Sequence, residues 1–118
     1  MRHLKKKKLR YRKTQSLNKS VIRNLTTSLI LYESVKTTRA KAKAVQPMIE
    51  KYITISKNND LVARRRLNGF LNSKNAVKKI LEVIAPRFKD RKGGYTRIIK
   101  IGQRQGDAAD IVQLSILK

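Results

Sequence analysis

The apolar residues of this chain change their period at Pro86. Before it they recur mostly at the three-to-four spacing of one helix face. After it they gather in two short runs rich in β-branched side chains, the mark of strands. That change leaves few folds open. Helices with one apolar stripe and strands with one apolar face must cover each other, so the chain must pack helices on a small sheet.

Taken in order, Ser16 is placed to cap a helix over 17–31, with Leu17, Val21, Leu25, Ser28, Leu29 and Tyr32 inward and Lys19, Arg23 and Asn24 away from that stripe. Residues 33–37 alternate and predict a short strand. Thr38 is placed to cap a second helix over 39–57, with Ala40, Ala44, Val45, Met48, Tyr52 and Ile55 inward and Lys41, Lys43 and Lys51 outward. Pro47 falls inside it and predicts a bend. Asp60 caps a third helix over 61–71, with Ala63, Leu67, Phe70 and Leu71 inward and Arg64, Arg65 and Arg66 around its outer arc. Asn72 or Ser73 caps a fourth over 74–85, with Val77, Ile80, Leu81 and Ile84 inward and Lys74, Lys78 and Lys79 outward. Pro86 stops it.

Residues 95–101 and 111–117 read as strands. Val112, Leu114 and Ile116 are the inward face of the second. In the first, Tyr95, Arg97, Ile99 and Ile101 share one face, Thr96, Ile98 and Lys100 the other, and the pattern leaves open which is inward. Between them, Gly102 to Asp110 predicts a long exposed hairpin loop. The order is α-β-α-α-α-β-β. This is the α+β class: a two-layer α/β domain over residues 14–118, its small sheet covered by helices on one side, preceded by a basic arm over 1–13.

The charge sets the partner. Thirty Lys and Arg against seven Asp and Glu give +23 in 118 residues. So much uncompensated charge repels itself and calls for a polyanion. Arg2, Lys5, Lys6, Lys7, Lys8, Arg10, Arg12 and Lys13 concentrate it in the arm, where no acidic residue occurs. Such a segment orders when phosphates neutralise it. His3 reads as a nucleic-acid contact and Tyr11 as a residue that stacks on a base.

The remaining chemistry is mostly excluded. There is no Cys and one His, which removes disulfides, thiolate metal sites and Ser-His-Asp triads. The carboxylates are scattered, with Asp107 and Asp110 alone close in sequence, so a hydrolytic pair or carboxylate metal site has little support. No cofactor, metal or small-molecule substrate is expected. No run is apolar enough for a membrane span and the N-terminus does not resemble a secretory signal, so a cytoplasmic protein is expected.

Four of the five glycines fall between Pro86 and Asp107, among basic residues. Arg87, Lys89, Arg91, Lys92, Gly93, Gly94, Arg97, Lys100 and Arg104 read as a second phosphate-facing segment. Gly93 and Gly94 permit either a close approach of backbone N–H groups to phosphate or a turn needing positive φ. Tyr95 reads as a core residue more than a stacking one, and Asp107 as a turn or cap of the loop.

The stretch also carries a signature. Pro86-Arg87-Phe88, then Arg91-x-Gly93-Gly94-Tyr95-Thr96-Arg97, then Lys100-x-Gly102-x-Arg104-x-Gly106-Asp107 closely resembles the family of large-subunit ribosomal protein seventeen of bacteria. So do Met1-Arg2-His3, Arg23-Asn24-Leu25 with Leu29, Lys36-Thr37-Thr38 with Lys41-Ala42-Lys43, and Arg65-Arg66-Leu67. The resemblance runs end to end. It implies a structural constituent of the large ribosomal subunit, bound to large-subunit rRNA near the peptide exit tunnel, as a monomer beside neighbouring ribosomal proteins. On the matching positions it adds Arg23, Lys36, Lys41, Lys43, Arg65 and Arg66 to the rRNA-contact candidates. A free-standing nucleic-acid binder of nucleoid or RNA-chaperone type is the alternative. It would bind DNA as readily as rRNA.

Overall fold

A computed structural model describes residues 15–118, with side chains from Asn18 onward. The basic arm, and with it the readings of residues 1–13, lies outside the described residues. Helix α1 spans Gln15–Tyr32, strand β1 Ser34–Thr38, helix α2 Arg39–Ser56 and helix α3 Leu61–Phe70. Helix α4, Lys74–Lys79, continues into a π-helical segment, Ile80–Ile84, and a last short turn α5, Ala85–Arg87. Strands β2, Thr96–Gln103, and β3, Asp110–Ile116, complete the α+β architecture.

The caps bear out part of the reading. Asp60 Oδ1 accepts from Ala63 N at 2.7 Å and Ser73 Oγ from Ala76 N at 3.3 Å, each filling one orphan donor of a first turn. Thr38 precedes α2 in extended geometry but its side chain makes no cap bond. Helix α1 already includes Gln15 and Ser16, so Ser16 is not its boundary. Helix α2 runs through Pro47 as one element.

Two predicted stripes are rotated. In α1 the buried residues are Thr26, Leu29 and Ile30, with Ile22, Leu25 and Leu31 packed beside them, while Tyr32 is 74% exposed. In α2 they are Ala42, Val45, Ile49, Ile53 and Ser56, and Ala40 is exposed. Each rotated face takes in one hydroxyl residue. Thr26 Oγ1 donates to the Ile22 carbonyl at 2.7 Å and Ser56 Oγ to the Ile53 carbonyl at 2.7 Å. A hydroxyl satisfied within its own helix can enter a core at little cost.

The fourth helix is not regular and does not stop at Pro86. The Ala85 N–H reaches back five residues to the Ile80 carbonyl, and Pro86 lies inside α5. A proline has no N–H to offer and its ring crowds the carbonyl four residues before it; the widened turn just ahead of it relieves that conflict. The inward residues Val77, Ile80, Leu81 and Ile84 are all buried as expected.

The sheet has the order β1-β3-β2, antiparallel throughout. Val35 stands opposite Leu114 and Thr37 opposite Val112; Thr96 stands opposite Ile116 and Ile98 opposite Leu114. Thr96 and Ile98 therefore share the helix-covered face with Val112, Leu114 and Ile116. This resolves the open register: Arg97, Ile99 and Ile101 face outward, the two isoleucines about half exposed. A bulge between Lys100 and Gly102 interrupts the ladder. Strand β2 runs on to Gln103, so the hairpin loop is shorter than predicted, 104–109.

One core cluster joins the layers. It includes Leu29, Ile49, Ile53, Leu67, Ile80, Ile84, Tyr95 and Leu114, all at most 1% exposed. Each such side chain stabilises the fold by roughly 1.5–3 kcal/mol through burial.

Candidate nucleic-acid interface

The core uses up carboxylates and leaves cations outside. Glu33 sits between α1 and β1 with φ 63°, and its carboxylate takes both Arg87 and Lys79. Glu50 accepts from the Thr96 hydroxyl at 3.0 Å, tying α2 to β2. Asp60 caps α3. Asp107 accepts from Arg104 Nε at 3.1 Å and from Ala109 N at 3.2 Å, closing the hairpin loop. The ion pairs among the described residues thus engage Lys79, Arg87 and Arg104. Lys36, Lys43, Arg65, Arg66, Lys89, Arg91, Lys92, Arg97 and Lys100 are exposed.

The fold distributes the predicted site residues over several surfaces. Lys36 and Arg97 lie on the bare face of the sheet, on its two outer strands. Lys89, Arg91, Lys92, Gly93 and Gly94 share the loop before β2. Lys41 lines a groove of about 280 Å³ with Val21, Asn24, Leu25, Ser28 and Thr37. Lys43 projects from α2, and Arg65 and Arg66 from α3. Two residues assigned to rRNA are ion-paired among the described residues. Arg87 donates to both Glu33 oxygens, at 3.2 and 3.0 Å, and to the Leu117 carbonyl at 3.2 Å. Arg104 is held by Asp107.

The glycine pair separates into two cases. Gly94 has φ 66°, a conformation that glycine adopts freely; Gly93 does not require it. Beside them, Tyr95 is a core residue, as the sequence suggested. It is 1% exposed, its ring centroid lies 5.0 Å from that of Phe88, and its hydroxyl donates to the Arg91 carbonyl at 3.1 Å. Burial pushes the Tyr95 hydroxyl up, but hydrogen bonds from Lys57 and Thr54 outweigh burial and hold it below its ordinary value. Lys57 was not singled out in the sequence, yet it organises this loop. Its ammonium lies 4.6 Å from the Tyr95 ring centroid and also donates to the Arg91 carbonyl.

A second cluster also escaped the sequence reading. Arg64, Lys74 and Lys78 line a groove of about 270 Å³ with Asn68, Val77, Leu81 and Glu82. Their signal was the four-residue spacing of Arg64 to Asn68 and Lys74 to Lys78, which puts each pair on one helix face. A third arrangement lies where α1, α2 and α3 meet. Tyr52 and Phe70 stack with centroids 4.4 Å apart at 17°, and the Arg23 guanidinium carbon lies 5.9 Å from the Phe70 ring centroid. Burial raises the Tyr52 hydroxyl, with Arg23 and Arg66 pulling the other way.

No group of three or more His, Cys, Asp or Glu that could hold a metal occurs among the described residues, and no described helix is long and apolar enough to cross a membrane. Core and surface together define a small, strongly basic α+β protein. The chain belongs to the family of ribosomal protein L17, whose model matches residues 21–117. Among its relatives, the large ribosomal subunit protein bL17 of Endomicrobium trichonymphae is 47% identical over 102 residues, covering 86% of this chain and 87% of its own. That of Pelobacter propionicus is 45% identical over 118 residues, covering 100% and 92%. That of a Wolbachia pipientis strain is 50% identical over 100 residues, covering 83% and 70%.

Proposed function

We propose that this chain is a structural, non-catalytic constituent of the large ribosomal subunit, where it binds and stabilises large-subunit rRNA beside neighbouring subunit proteins near the peptide exit tunnel. The observation that carries the reading is the set of exposed cations in a chain whose relatives are named for that subunit. Lys and Arg on several faces displace condensed counterions wherever an RNA helix passes, which gives sequence-independent affinity. Arg adds forked contacts to phosphate that Lys cannot make. The helix-covered sheet keeps these side chains at fixed separations, which suits recognition of RNA by the path of its backbone.

Quantitative mass spectrometry of separated ribosomal subunits after a high-salt wash tests it. One copy per large subunit, with none on the small subunit, is expected. Loss in the wash with recovery on bulk DNA or mixed RNA would overturn the reading in favour of a free-standing nucleic-acid binder.

A further inference from the structure

The sheet ends in an open strand. In the order β1-β3-β2, strand β2 pairs with β3 on one side, and among the described residues no strand lies on its other side. The Leu117 N–H donates to the Tyr95 carbonyl at 2.9 Å, so these two residues form a hydrogen-bonded pair of the ladder. In an antiparallel ladder such pairs alternate. Arg97 and Ile99, opposite Ser115 and Gln113, therefore turn their backbone groups to β3, and Ile98 and Lys100 turn theirs off the edge. Beside that edge, Ile99 and Ile101 stand 48% and 49% exposed on the bare face of the sheet. Arg97 shares that face and Lys100 projects from the opposite one. Neither enters an ion pair among the described residues.

Edge strands are commonly blunted by a lysine or a bulge, and β2 has both, Lys100 and the bulge between Lys100 and Gly102. These close the edge to strands of like charge and leave it open to acidic ones. A second copy of this chain, at +23, would set Arg97 and Lys100 against their own kind. RNA also fits poorly. Apart from the ribose hydroxyl its backbone offers acceptors, which leaves the Ile98 and Lys100 carbonyls without a donor, and it brings nothing apolar to Ile99 and Ile101. An extended peptide supplies backbone donors and acceptors together, and side chains that alternate between the two faces. We infer that the free edge of β2 takes a short extended segment of another protein as a fourth strand, with apolar side chains beside Ile99 and Ile101 and carboxylates beside Lys100 and Arg97. The inference rests on the reading that the chain sits beside neighbouring proteins of the large subunit. It names the surface and the chemistry of one such contact, and it moves Arg97 and Lys100 from rRNA to protein.

Two measurements on the full chain test it. In the first, the photo-cross-linking residue p-benzoylphenylalanine replaces Ile99, and the chain is assembled into large subunits. Irradiation is expected to join position 99 to a carboxylate-bearing peptide of another protein, identified by mass spectrometry. A cross-link to rRNA, to a peptide without carboxylates or to nothing would overturn the inference. In the second, hydrogen exchange of the Ile98 and Lys100 amides is followed by NMR in the isolated, unsubstituted chain as a short capped peptide alternating valine and glutamate is added. At a peptide concentration about ten times the Kd, exchange at both amides is expected to slow on the order of tenfold. The same peptide with lysine in place of glutamate is expected to leave both unchanged, and Lys100→Glu, at an exposed position, to abolish the preference for glutamate. Equal slowing by the two peptides, or slowing by neither, would overturn the inference. If the chain is absent from large subunits, the proposed function fails, and the peptide titration still decides whether the edge accepts an acidic strand.

Discussion

Arg87 grips Glu33 through two parallel hydrogen bonds, Nη1 to Oε2 at 3.2 Å and Nη2 to Oε1 at 3.0 Å, across a sequence separation of 54 residues. The pair fastens the end of the helical region to the turn between α1 and β1. The same guanidinium donates to the Leu117 carbonyl, and the Ile116 N–H donates to the Glu33 carbonyl at 2.9 Å. One ion pair thus joins three separate pieces of chain.

Arg87→Met is therefore expected to be a stability variant more than a binding variant. Losing charge-assisted hydrogen bonds at a half-buried carboxylate costs about 1–3 kcal/mol, read as a lower urea midpoint with unchanged m. Its rRNA affinity is expected to stay within about threefold of the unsubstituted protein, whereas loss of a phosphate contact would also flatten the salt slope.

The same pair sets an acid limit. The Arg87 hydrogen bonds, more than burial opposes them and with Lys79 assisting, hold Glu33 below its ordinary value of 4.5. Because the folded value is depressed, this contribution is fully present above about pH 4.5 and is lost as pH falls through the lower folded value. The gap in urea midpoint between the unsubstituted protein and Glu33→Gln should be wide at pH 7 and narrow on acidification below pH 4.5. A gap that does not change over that range would mean the pair does not contribute through its charge.

The two glycines before β2 give a clean contrast. Gly94→Ala places a side chain at φ 66° and is expected to lose about 1–2 kcal/mol. Gly93→Ala meets open space and needs no positive φ, so folding should be unaffected. If Gly93→Ala nevertheless weakens rRNA binding, the backbone there approaches phosphate closely. Calorimetry and rRNA binding of the two variants check both statements.

Ala108 already stands where a glycine would sit more easily, at φ 52° in the hairpin loop. Ala108→Gly should relieve that strain, and thermal unfolding should show a gain of about 0.5–1 kcal/mol net of the extra freedom glycine brings to the unfolded chain.

Salt should stabilise the free protein. With +23 on 118 residues, screening removes self-repulsion faster than it weakens the few internal ion pairs. The melting temperature is expected to rise from low to moderate salt, and to rise further when rRNA binds. A flat response would remove self-repulsion as the main liability.

The element order and the inner face of β3 could be read directly, because Val112, Leu114 and Ile116 alternate without interruption. Asp60 and Ser73 were legible as caps because their chemistry is local. The faces of α1 and α2 were not, since Thr26 and Ser56 look like surface residues until their hydroxyls are seen bonded inside their own helices. The π-helical segment has no sequence mark other than Pro86, which by its chemistry alone reads as a stop. At the surface, every exposed Lys or Arg looked alike. Sorting Arg87 and Arg104 from the others needed the positions of Glu33 and Asp107.

The order of the sheet has a consequence for how the chain is made. Strand β3 lies between β1 and β2, and of the three it is the last to be synthesised. Until it arrives, Val35 has no Leu114 and Ile98 has none either. A nascent chain that has reached only β2 can coil its helices but cannot close its sheet, and it exposes two unpaired strands together with the apolar faces of α1 and α2. A chain truncated ahead of Asp110 would therefore keep loose, sticky edges, and β3 is the keystone without which neither neighbouring strand has a partner.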